Sequence, residues 1–236
     1  MAYFDATTSF DAALAEVEHL VTLARLCQNR RRDYLTYLKA AFVLLGAKFE
    51  AFAENIIENY VDRLAEMEPR AKHLSRDLRL HSTTLLLSQC ANGSLFSGKP
   101  AAVSNLRAAA ALWNDEDPHS SLTVSNKFNY GKHGSGELRS LFQRIGIDDI
   151  LNECRILTVT HDTMLGSGVT RATIIADIDS FTSIRNNIIH SDASPNNITH
   201  QQIHDYKEKL WEFGYTVDLR LERELVRVKN SIASNP

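Results

Sequence analysis

Apolar positions recur along most of the chain at steps of three and four, the spacing that gathers side chains on one face of an α-helix. From about Ser9 to Cys27 they are Phe10, Leu14, Val17, Leu20, Val21 and Ala24. From Asp33 to about Glu66 they are Leu38, Phe42, Leu45, Phe49, Phe52, Ile56 and Tyr60, with Gly46 as a point of slight bending. Shorter helices are predicted near 70–90, 101–114 and 136–153, and two longer ones at about 169–190 and 199–230. A Thr199-x-x-Gln202 capping box opens the last. Pro69, Pro100, Pro118 and Pro195 all fall between these segments, where a residue without an N–H does no harm. NGSLFSGKP, NDEDPHSSLTVSNKFNYGKHGSG and SDASPNN read as loops from their Gly, Ser, Asn and Pro content. RILTVTHDTML alternates β-branched residues and suits a short extended segment, but one strand makes no sheet alone. The expected fold is all-α, a single domain over residues 1–236.

One helix breaks its own pattern. At about 100° per residue, Ile174, Ile175, Ile178, Phe181, Ile184, Ile188 and Ile189 share an arc of roughly half the circumference, and Arg185 falls near its centre. A guanidinium leaving water needs a facing carboxylate, or a groove in which an anionic ligand sits, and both can hold together. Glu50, at the edge of the long stripe, is the best internal partner and Glu54 the second choice. Asn186 follows Arg185, and His190 closes the helix ahead of SDASPNN, where an imidazole can give or take a proton. A cation, an amide and an imidazole with no acid among them suit a phosphodiester better than a metal ion. The same spacing also fits a structural Arg–Glu pair that clips two helices together. Arg185 and His190 lie about 140° apart on an ideal helix, so a compact site requires the helix to end early or a second copy to supply the missing half.

Composition narrows the partners. The net charge of −3, from 29 acids and 26 bases, carries no long-range pull toward nucleic acid or anionic membrane, so any polyanion contact is local. Three cysteines, Cys27, Cys90 and Cys154, are an odd number far apart and argue against a disulfide framework, which fits a reducing cytoplasm. The longest apolar run, Ala40 to Ala47, is short of the roughly 20 residues a membrane-spanning helix needs. The amino-terminal residues carry acids where a secretory signal carries bases. The expected setting is the cytoplasm, with no membrane contact.

The motif R-N-N-I-I-H, Arg185 to His190, resembles the signature of the HEPN superfamily, an Arg, usually an Asn, a few residues and a His near the end of a late helix. YLKAAFVLLGAKFEAFAENIIENYVDRL and GELRSLFQRIGIDDIL resemble the long early helix and a central segment of its RiboL-PSP-HEPN branch. The resemblance runs over roughly 10–215. It implies a HEPN-like helical bundle with long antiparallel helices and additional short ones, and a metal-independent endoribonuclease without cofactor, of the kind found among toxins and anti-phage effectors. It also implies a homodimer with a composite cleft, and a possible regulatory or antitoxin protein. Carried over, Arg185 binds the scissile phosphate, His190 moves a proton, Asn186 orients one of them and Glu50 holds Arg185. Two positions depart from the pattern: Ser191 stands where the family often has glycine, and Asp192 stands where the antitoxin-paired subgroup has tyrosine. The alternative reading is a non-catalytic helical dimerisation or interaction module serving a separate effector.

Other motifs carry less. His200 and His204 have helical ligand spacing, but Asp205 points about 100° away from His204, so no metal is expected there. Arg30, Arg31 and Arg32 read more simply as a solvated face than as phosphate contacts. Lys127, Tyr130, Lys132 and His133, in KFNYGKHGSG, mix bases with aromatics and suit either weak single-stranded RNA binding or an ordered connection. The glycines there follow no strand and precede no Walker lysine, and His161-Asp162 lacks a nucleophile.

Overall fold

Helix periodicity decides most of the architecture. In the computed structural model the elements are α1 (Asp5–Leu26), α2 (Arg31–Ala65), a 3-10 turn (Ala71–His73), α3 (Arg76–Phe96), α4 (Lys99–Ala111), α5 (Ser135–Gln143) and α6 (Ile150–Glu153). A hairpin of β1 (Ile156–Asp162) and β2 (Gly166–Ala172) follows, then α7 (Ile175–His190) and α8 (His200–Ser234). The structure describes residues 3–96, 99–115, 118–119, 122–128, 134–162, 166–190 and 197–234, with 92–96, 99, 158–162 and 166–171 described by backbone only. The fold is all-α with one small hairpin added. Among the described residues no helix is long and apolar enough to cross a membrane.

By their internal contacts the residues form two compact units. The first comprises Met1–Ile56, Phe128–Leu138 and Ile150–Leu219. Its core is the predicted stripe: Leu38, Phe42, Leu45, Phe49, Phe52 and Ile56 of α2 are all buried, as are Phe10, Leu14, Val17 and Val21 of α1. Phe10 stacks on Phe52 at 5.0 Å between ring centroids, and Lys48 meets Glu16, so α1 and α2 run antiparallel. Contacts between α2 and α8 advance together, from Tyr34 with His200 to Phe42 with Tyr206 and Phe49 with Phe213, so these two helices run in the same direction. Phe181 of α7 stacks on Phe42 at 4.6 Å and 21° and meets Tyr206 edge-on, which docks α7 against both. Buried Asp218 of α8 accepts the Phe4 N–H at 2.9 Å and the Thr7 hydroxyl at 2.6 Å, placing a carboxylate at the start of α1, where free N–H groups and the helix dipole favour it.

The second unit comprises Ile57–Lys127, Arg139–Asp149 and Arg220–Pro236. Ile57, Tyr60, Val61 and Leu64 of α2 and Leu221, Leu225 and Val228 of α8 are buried in it, and Arg63 pairs with Glu222. Trp113 donates to Thr83 at 2.9 Å and Cys90 to the Ala102 carbonyl at 3.3 Å, contacts that set α3 and α4 as an antiparallel pair. Ser75 caps α3 by accepting the Leu78 N–H.

Three expectations are corrected. The helix predicted over 136–153 is two, because Gly146 turns the chain with φ +81°, and any side chain there would run into the Ser75 hydroxyl. The helix predicted from about 169 begins at Ile175. Residues 166–172 instead pair with 156–162 in an antiparallel register from Ile156 opposite Ala172 to Asp162 opposite Gly166. Gly166 and Gly168 weaken a helix there, and the β-branched Val169 and Thr170 favour the strand once a partner lies beside them. The segment NGSLF, expected to be a loop, continues α3 to Phe96.

Candidate functional site

The first part of the apolar arc faces the core, with Ile174, Ile178 and Phe181 buried, whereas Ile184 and Ile188 are half-buried and Ile189 is exposed; Arg185 reaches α2 from this helix. There its two terminal nitrogens meet Glu50 edge to edge, Nη1 at 3.0 Å from Oε1 and Nη2 at 3.2 Å from Oε2. This parallel fork holds a guanidinium in orientation as well as position. The Arg185 side chain is 13% exposed and that of Glu50 21%. The pair is therefore mostly withdrawn from water without being sealed. Glu54, the second choice, does something else: its Oε1 accepts the Phe128 N–H at 3.1 Å.

The structure brings Arg185 and Glu50 together but does not bring His190 to them. The helix stays regular to His190, its last residue, so five residues of α-helix separate the two side chains by about 7.5 Å along the axis and about 140° around it. Of the two ways to a compact site, an early helix end is thereby removed. His190 is exposed and Asn186 is half-buried beside Arg185. Ser191 and Asp192 lie outside the described residues.

Tyr130, Lys132 and His133 of the predicted RNA loop also lie outside the described residues. Lys127, which is described, is exposed. The chain leading to it is tightly held: Arg144 donates to the carbonyls of Ser125 and Lys127 at 2.8 and 2.7 Å, and the His81 imidazole accepts the Ser125 N–H at 3.3 Å. Burial, and then the Arg144 guanidinium, hold the His81 imidazole below the ordinary histidine value. Beyond the undescribed stretch, Ser135 donates its backbone N–H and hydroxyl to Asp179 of α7 at 2.8 and 2.9 Å. Sequence reasoning missed Asp179, because an exposed acid on a helix carries no signal of a partner more than forty residues away.

Among the described residues no group of three His, Cys, Asp or Glu side chains is placed to hold a metal ion. Of the residues around α8's first turn, Asp205 is taken up by Gln201 and His200 lies beside Tyr34.

The RiboL-PSP-HEPN family model matches residues 11–223, a span that takes in the whole of α2 and α7. The chain belongs to the RiboL-PSP-HEPN family. It is a HEPN-type domain, of a superfamily that includes many ribonucleases. No curated protein and no solved structure matches the chain significantly. The matched span of this RiboL-PSP-HEPN member includes Arg185, Asn186 and His190 of α7 and Glu50 of α2.

Proposed function

We propose that the chain is a single HEPN-like domain acting as a metal-independent endoribonuclease, a cytoplasmic toxin or anti-phage effector that works as a homodimer. The observation that carries this reading is the Arg185 guanidinium, held by a two-bond fork to Glu50 on a side chain that keeps 13% of its surface exposed, on the helix that ends at exposed His190. Arg185 neutralises the scissile phosphate, and its preset orientation means that little reorganisation accompanies the gain of negative charge there. The ribose 2′-oxygen bonds to phosphorus as the P–O5′ bond breaks. The 2′-hydroxyl loses its proton and the departing 5′-oxygen gains one, with His190 carrying one of these transfers. The products are a 2′,3′-cyclic phosphate and a 5′-hydroxyl, and DNA, lacking the attacking hydroxyl, is not cut. Asn186 orients the phosphate or the imidazole, and Lys127 with Tyr130, Lys132 and His133 binds RNA weakly. A regulatory or antitoxin protein keeps the nuclease silent.

Because one regular helix turns Arg185 and His190 apart, the active cleft pairs Arg185 of one copy with His190 of its twin. Mixing inactive Arg185→Ala with inactive His190→Ala then restores cleavage, since one cleft of the mixed dimer keeps both residues. The assay runs with a chelator present throughout. No restoration counts against the shared cleft, and activity that needs a divalent ion counts against the chemistry.

The second reading, a non-catalytic dimerisation or interaction module, draws on the same ion pair as a clip between α2 and α7. It predicts no cleavage by the wild type, with Arg185→Ala acting on stability alone.

A further inference from the structure

Gly46 lies inside α2, one helical turn before Glu50 and on the same face. Glycine in a helix interior is the least favourable residue after proline, so its presence there calls for a reason. A Cβ built on Gly46 would stand 2.8 Å from Arg185 Cδ and 2.9 Å from Arg185 Nε, closer than such atoms ever approach. The stem of Arg185 therefore crosses α2 directly over the bare backbone of Gly46, and its head then drops onto Glu50. Nε is buried there and, among the described residues, has no hydrogen-bond partner, which is what a stem pressed against a helix backbone would show. The next nearest atom, Phe181 Cε1, is 3.4 Å from the built Cβ, a distance an added methyl tolerates.

We propose that Gly46 is a positioning residue for the site: its missing side chain is the notch that lets Arg185 reach Glu50 and fixes the height of the guanidinium above α2. The consequence for catalysis rests on the reading of Arg185 as the phosphate-binding group. A methyl at 46 meets a side chain pinned at both ends, by α7 at its root and by the fork to Glu50 at its tip. The weaker attachment gives, so the fork opens while α2 keeps its course. The fold survives and the cation moves.

The sign of Gly46→Ala depends on Arg185, and that dependence is the test. In an otherwise wild-type chain the helical gain of alanine is cancelled or reversed by the displaced stem. In an Arg185→Ala background the obstacle is gone, and Gly46→Ala raises the thermal midpoint by about 2–4 °C. An equal rise in both backgrounds overturns the notch. A second readout is the Nε–H resonance of Arg185, identified by its loss in Arg185→Ala, which shifts in Gly46→Ala if the stem is displaced and stays in place if it is not. For RNA cleavage, Gly46→Ala lowers kcat by about a hundredfold, the scale of an ångström's misplacement. Undiminished cleavage overturns the positioning role. A wild-type chain that cuts no RNA overturns the nuclease reading, and the midpoints and the resonance still decide the notch.

Discussion

Arg185 and Glu50 meet through two parallel contacts, at 3.0 and 3.2 Å, across 135 residues of sequence. Both side chains are mostly out of water, so removing one leaves the other's charge exposed to a poor environment. Glu50→Ala is expected to destabilise the fold by about 1–3 kcal/mol, more than an exposed ion pair is worth. Chemical unfolding of the variant against wild type measures this, and a loss below about 0.5 kcal/mol would place the pair among surface contacts.

Asp179 and Ser135 make a second long-range tie, in which one carboxylate takes both a backbone N–H and a hydroxyl at the first residue of α5. It works as a cap supplied from another helix. Asp179→Ala is expected to cost about 0.5–2 kcal/mol, and Ser135→Ala less, because it keeps the N–H bond. Comparing the two by denaturant midpoint checks the order.

Much of this was legible in the sequence, and the parts that were not share a cause. The α1 and α2 stripes appear as steps of three and four because one face of each helix is buried along its length, and Glu50 stood out as the carboxylate at the edge of such a stripe. The hairpin was hidden because the strand 166–172 depends on its partner 156–162, and pairing leaves no local signature. Its β-branched Val169 and Thr170 also suit the apolar spacing that leads into α7. NGSLF holds turn-favouring residues whose helix penalties are at most about 1 kcal/mol each, small enough for a helix packed against a neighbour to absorb. The notch at Gly46 depends on the path of a side chain from another helix and has no local signature at all.

The imidazole of His81 accepts the Ser125 N–H, and burial and Arg144 hold its proton affinity low. The unfolded chain, with an ordinary histidine near 6.5, then binds the proton more readily than the folded chain. Stability is complete above about pH 6.5 and falls as the pH drops through the folded value. Thermal midpoints between pH 7.5 and 5 are expected to decline more steeply for wild type than for His81→Gln, whose amide oxygen still accepts the N–H. Identical slopes would remove His81 from the account.

The central claim is that Arg185 and His190 cut RNA through the ribose 2′-hydroxyl. Its most direct measurement maps the ends left on single-stranded RNA by purified wild type, Arg185→Ala and His190→Ala, all verified as folded, with chelator present. The account predicts 2′,3′-cyclic phosphate and 5′-hydroxyl ends from wild type and none above background from either variant. Ends of another chemistry, or equal cleavage by the His190→Ala chain, would contradict it.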